Sequence, residues 1–190
     1  TGYDHKYIYS HLGYNLKPLD IQAAIGRVQL NRLSDFNVKR KANWEYLYNG
    51  LKEHSDFLEL GLPTHATSYL GSGCFEWDAT KCITEPAWFG FKISVKHSAP
   101  FSRLDLSKML DGKNIGHRAL FGGNLIRQPA FVDQFNINPN SIRISGQLIG
   151  SDQLMNDTIF IGTYPGLTGD QLRYIVNCIS EFVVSATHVN

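Results

Sequence analysis

Three stretches carry side chains able to do chemistry. The first is SHLGYN (Ser10 to Asn15), where Tyr9, His11, Tyr14 and Asn15 gather phenol, imidazole and amide groups just ahead of Pro18. Loops collect such groups at surfaces that bind. The plainer alternatives are an Asn that bonds its own backbone in a turn and a satisfied structural histidine. The second is GHRALFGGNLIRQP, which sets Arg118, Asn124 and Arg127 among glycines. Glycines let a ligand approach the backbone and guanidinium groups can grip phosphate bidentately, although solvated loop arginines would look the same. The third is residues 63–86, with Cys74 and Cys82 near His65, Glu76 and Asp78. Those are metal-ligand types, but four soft ligands at characteristic spacing are missing. No metal site is assigned, and the stretch reads as a surface insertion with incidental thiols.

The elements that must position these groups follow from periodicity and punctuation. Pro18 and Asp20 suit the first turn of a helix, and Ile21, Ala24, Ile25 and Val28 keep helical spacing. A second helix is predicted from about Asp35 to Glu53, with Phe36, Arg40, Asn43, Leu47 and Leu51 near one line and Trp44 and Tyr48 beside it. Residues 63–86 show no sustained period. Trp88 to Val95 is a strand by its aromatic and β-branched content. Ser102 with Asp105 resembles a capping box for a helix ending near Gly112, and Ile115 to Phe121 reads as a short strand. RISGQLIG stays ambiguous, and Thr158 to Gly162 is a buried strand. Thr168 and Gln171 cap a final helix whose stripe is Leu172, Ile175, Val176, Ile179, Phe182 and Val183, with Cys178 a buried thiol on it. A few strands covered on one face by helices make an α/β or α+β sandwich.

The 190 residues are 43% apolar and 18% charged, as in one soluble globular domain. The net charge of +1, spread along the chain, argues against nucleic acid or an anionic membrane as partner. No apolar run approaches the ~20 residues of a membrane helix, and the start lacks the order of a signal peptide. Three cysteines cannot all pair internally, so a reducing cytoplasm is expected. The first residue is Thr1 and structured-looking chain follows at once, so a portion of something longer is expected.

A resemblance sharpens this. YDHKYIYSHLGYNLKPLDIQAAIGRVQLNRL resembles the stretch opening the C-terminal part of the DegT/DnrJ/EryC1/StrS sugar aminotransferases, pyridoxal-phosphate enzymes of the aspartate aminotransferase fold (fold type I). The shared pattern is Gly13-Tyr14-Asn15, Asp20, Ala23-Ala24 and Gln29-Leu30. PAWFGFKISV, GHRALFGGNLIRQPAF and MNDTIFIGTYPGLT resemble one branch, the CDP-4-keto-6-deoxy-D-glucose 3-dehydrases of lipopolysaccharide deoxysugar synthesis. That branch uses pyridoxamine phosphate and an iron–sulfur cluster to remove a sugar 3-hydroxyl.

The resemblance implies the small C-terminal domain of that architecture over residues 1–190. It implies that Asn15 reaches a cofactor phosphate across a homodimer interface. Tyr9, His11, Tyr14, Trp88, Phe89, Arg118, Asn124 and Arg127 would then line a sugar-nucleotide cleft, for a CDP-linked sugar. Phe89 stands where aminotransferase relatives often place a His, and His117 where a Thr is expected. The cofactor-anchoring residue and the iron–sulfur cysteines belong to a preceding large domain, in cis or as a separate chain, so no catalytic residue is assigned and the isolated chain is expected to be inert. The alternatives are a non-catalytic dimerisation or sugar-nucleotide-binding module and part of a sugar 4-aminotransferase.

Overall fold

A computed structural model describes Tyr14 and residues 16–188. Contacts divide the chain into two units, one reaching Ser34 and the other beginning at Asp35. A single helix, α1 (Asp20–Leu51), runs through the division where two helices were expected. Ser34 and Asp35 look like a helix start, but no Gly or Pro interrupts residues 27–49, so nothing forces the backbone out of helical geometry. In the first unit residues 20–34 are exposed throughout, and Leu19 N–H donates to Gln22 Oε1 at 2.8 Å.

The second unit continues with β1 (Leu58–Leu60), β2 (Ala66–Gly71), β3 (Cys74–Trp77), β4 (Gly90–Val95), α2 (Arg103–Gly112) and β5 (His117–Ala119). There follow α3 (Pro129–Ile137), α4 (Ile149–Asp157), β6 (Thr158–Gly162) and α5 (Gly169–Thr187). Four strands form one antiparallel sheet in the order β1-β4-β6-β5. Strands β2 and β3 form a separate hairpin inside the 63–86 stretch. Its register shifts between Ala66 and Ser68 and again between Tyr69 and Gly71, which erases the period of two that would have announced it.

Strand alternation separates the two faces of the sheet. Phe91, Ile93, Val95, Ile159 and Ile161 are buried in one core with Trp44, Leu47 and Leu51 of α1, Leu106 and Leu110 of α2, and Ile175, Ile179 and Val183 of α5. The opposite face carries Lys92, whose Nζ lies 2.8 Å from Glu59 Oε1, and the buried Ser94–Thr158 hydroxyl pair at 2.7 Å. Helix α4 packs against β4 and β6. Both expected caps form: Ser102 with Asp105 opens α2 and Thr168 with Gln171 opens α5. A cap of this kind contributes about 1 kcal/mol.

Helices α1 and α5 meet where α1 has no side chain. A Cβ at Gly50 would lie 2.7 Å from Val176 Cγ1 and 2.8 Å from Cγ2. Gly50→Ala is therefore expected to lower stability by about 1–3 kcal/mol in urea unfolding, the usual cost of overpacking. Adding Val176→Ala should recover much of the loss. A neutral or stabilising Gly50→Ala would contradict this packing.

Candidate functional site

The site begins at the entry to β4. The carbonyl of Trp88 accepts from Arg40 Nη1 at 3.0 Å and from Thr163 Oγ1 at 2.8 Å. The buried Asn43 donates its amide to the carbonyls of Thr163, at 3.3 Å, and Tyr164, at 2.9 Å. One face of α1 thus fixes the entry to β4 and the exit of β6 together. Arg40 and Asn43 were not among the expected site residues. Their signal was visible, since both are polar residues standing in an otherwise apolar helix stripe.

From that clamp Trp88 and Phe89 go separate ways. Trp88 stacks on Trp44 with ring centroids 4.6 Å apart and planes 6° apart. Phe89 stays 68% exposed beside Phe160, at 5.6 Å, and Phe121, at 6.2 Å. Phe121 and Phe160 lie 5.5 Å apart, closing an aromatic triad, and Phe121 is itself 75% exposed. Arg118 is the direct cross-strand partner of Phe160, so its exposed side chain rises from the same face. Its Nη1 donates to the His117 carbonyl at 2.8 Å. His117 pairs with Ile161 and so belongs to the core face, where its Nδ1 lies 3.6 Å from Asp111 Oδ1.

Phe121 is held out by an unusual loop. Its φ is +50°, and Gly123 follows at +58°. A left-handed aromatic residue is a strained one. Two residues of α4 restrain the loop. Asp152 accepts from Arg127 through Nε at 2.8 Å and Nη2 at 2.7 Å, and from Asn124 Nδ2 at 2.8 Å. A Cβ at Gly123 would lie 2.6 Å from Met155 Cβ, so only glycine lets the loop sit this close. The Arg127 fork, then the Asn124 amide, holds the Asp152 carboxyl down to about 2.

The expected cleft residues therefore fall into groups. Phe89 and Arg118 share a face. Asn124 is only 2% exposed and its amide N–H is taken by Asp152 of α4 while its Oδ1 accepts from Ile126 N–H, and Arg127 is forked on Asp152 with Nη1 outside that pair. Trp88 turns into the Trp44 cluster. Tyr14 is 92% exposed in the first unit, while Tyr9, His11 and Asn15 lie outside the described residues. Phe121 and Phe160 were missed as site residues, because only the register placed them beside Phe89 and Arg118. Among the described residues no three His, Cys, Asp or Glu side chains gather as a metal site, and no helix is long and apolar enough to cross a membrane. Cys74 and Cys82 are exposed and Cys178 is buried.

The second unit is a mixed sheet-and-helix architecture, and comparison makes its class specific. The E. coli GDP-4-keto-6-deoxy-D-mannose-3-dehydratase with bound hydrated PLP superposes with a TM-score of 0.72, at 22% identity, over 91% of this chain and 38% of that one. An aminotransferase from Psychrobacter cryohalolentis gives 0.69 at 18% identity, over 97% and 45%. The fold is that of the pyridoxal-phosphate-dependent aminotransferase-type proteins, as expected. The pattern of the DegT/DnrJ/EryC1/StrS aminotransferase family matches residues 1–180, and the chain belongs to that family. It is 45% identical to the lipopolysaccharide biosynthesis protein RfbH of Salmonella typhimurium over 95% of this chain and 36% of that protein. It is 40% identical to the dTDP-4-dehydro-2,6-dideoxy-D-glucose 3-dehydratase of Saccharopolyspora spinosa over 98% and 35%. The chain thus spans about a third of the length of these curated relatives.

Toward a pyridoxal-type cofactor the described residues fit a wall: exposed rings and a guanidinium. The one amine on the four-stranded sheet, Lys92, is paired with Glu59.

The Asp152 fork can be tested by pH. A carboxyl held low in the folded state stabilises fully above its ordinary value near 4, and that contribution is lost as pH falls toward about 2. Asp152→Asn should unfold at lower urea than the parent at pH 6, and the gap should shrink steadily between pH 4 and 2. A gap that is constant over that range would exclude the role given to the fork.

Proposed function

We propose that this chain forms one wall of the sugar-nucleotide site of a pyridoxal-type 3-dehydratase, an enzyme that removes the 3-hydroxyl of a nucleotide-linked 4-keto-6-deoxyhexose. A CDP-linked substrate is the form the sequence blocks suggest. The reading rests on one observation above all: Arg118 and the rings of Phe89, Phe121 and Phe160 share an exposed face of the sheet. The names of the relatives support the chemistry, and the aminotransferase-type fold supports the cofactor.

A bound pyridoxal-type cofactor supplies the electron sink that lets a hydroxyl leave the carbon next to a carbonyl. This chain's residues supply the surroundings. The aromatic rings cover the sugar and keep water from it. Arg118 offers a charged donor pair for a nucleotide phosphate, needing only to release the His117 carbonyl. Asn124 and Arg127 act by positioning, since they fix the loop that presents Phe121. Asn15 is assigned the cofactor-phosphate contact across the homodimer, where an amide N–H donates without adding charge. The proton-transferring group and the iron–sulfur ligands are assigned to the large domain, and the assembly to the cytoplasm. Phe89 stands where aminotransferase relatives often place a His, which favours the dehydratase reading over transamination.

In the enzyme carrying this chain, Arg118→Ala should raise KM for the nucleotide sugar about 10- to 100-fold, the effect of losing a charged hydrogen bond, with kcat little changed. An unchanged KM would remove Arg118 from the site. Separately, pyridoxamine phosphate added to the 190-residue chain is expected to leave its absorption spectrum unshifted. Tight stoichiometric binding would show instead that this chain holds the cofactor by itself.

A further inference from the structure

The 63–86 insertion does more than cover the surface. Between its hairpin, the segment 83–88 and α1 lies a cavity of about 480 Å³. That is within the size range of small-molecule sites, which are mostly apolar with a few placed polar groups. Its lining includes Trp44, Tyr69, Phe75, Trp77 and Trp88, together with the carboxylate of Glu45. Tyr69 and Phe75 lie 5.1 Å apart at 49°, and Phe75 and Trp77 5.8 Å apart at 63°. Rings tilted in this way offer faces in several directions instead of one stack. Trp44 itself is sandwiched between Tyr48 and Trp88, and so serves as the rigid back wall.

Charge decides what such a cavity prefers. Three charged groups line it: Lys41, Glu45 and Glu85. Lys41 is paired with Glu85 through Nζ and Oε1, which cancels those two. Glu45 has no cationic partner among the described residues; its Oε1 accepts the Ser72 N–H at 3.1 Å. Glu45 lines the cavity together with Tyr69, whose phenol is pushed up by burial and then by the neighbouring Glu45 carboxylate. Aromatic faces and an uncompensated carboxylate attract the same kind of guest.

We propose that this cavity binds a small organic cation, a quaternary or alkylated ammonium group with apolar substituents, between the hairpin aromatics and Glu45. The chain supplies its own reporter, because its three tryptophans, Trp44, Trp77 and Trp88, all line the cavity. Choline chloride titrated into the 190-residue protein at constant ionic strength should change tryptophan fluorescence saturably. Its neutral isostere, 3,3-dimethylbutan-1-ol, should bind at least tenfold more weakly. Glu45→Gln keeps an oxygen for the Ser72 N–H and removes the charge, so it should weaken choline at least tenfold while leaving the thermal unfolding midpoint near that of the parent. Lys41→Met frees a second carboxylate and should tighten choline binding. No saturable signal, equal affinity for the alcohol, or indifference to both substitutions would each overturn the proposal.

Discussion

Everything in the second unit depends on how the Trp88 carbonyl is satisfied. It lies where the chain leaves the 63–86 segment and enters the core strand β4, and it accepts from Arg40 and Thr163 at once. Asn43, one turn along α1, satisfies the carbonyls of Thr163 and Tyr164. A buried carbonyl left without a donor costs about 1–3 kcal/mol, so these polar groups fix α1 against both central strands at a defined depth. The consequence for function is directional. With Trp88 locked, Phe89 must turn the other way, and a single residue step divides the aromatic cavity from the open aromatic face.

The same alternation explains why neighbouring residues have unrelated roles. His117 and Arg118 are adjacent, yet their partners across β6 are Ile161 and Phe160, on opposite faces. A substitution at His117 therefore alters packing beside Asp111 and α2, while one at Arg118 alters the exposed face. Position 117, where a Thr was expected, pairs with Ile161 on the core side of the sheet.

Where local rules and tertiary packing agree, the sequence was readable. Helix α5 combined a capping pair with an uninterrupted apolar stripe, α2 had its capping box, and β6 was bounded as expected. Reading failed where those signals separated. The β2–β3 hairpin has a positive-φ turn at Ser72-Gly73 and two register shifts, so its side chains never alternate for long. Helices α3 and α4 have no buried residue, so no stripe marked them. Of the candidate site, Phe89 and Arg118 were legible by type. Phe121 and Phe160 were not, because their meeting depends on strand register and a left-handed loop residue, neither of which composition encodes.

That left-handed residue connects stability to presentation. Holding Phe121 at φ +50° costs of order 1 kcal/mol or more, and its exposed ring buries too little to offset this. The offset comes from behind the loop. Asp152 forks Arg127 and takes the Asn124 amide, Met155 sits against Gly123, and Gln128 donates to the Gly122 carbonyl at 2.8 Å. Asp152 and Met155 are three residues apart on α4, so one helix face supplies both grips. A loop free to relax would turn Phe121 back to ordinary φ and withdraw its ring from Phe160. The rigid backing is therefore what keeps an apolar ring in the open on the face that carries Arg118, and it lets a strained conformation persist where packing alone would erase it.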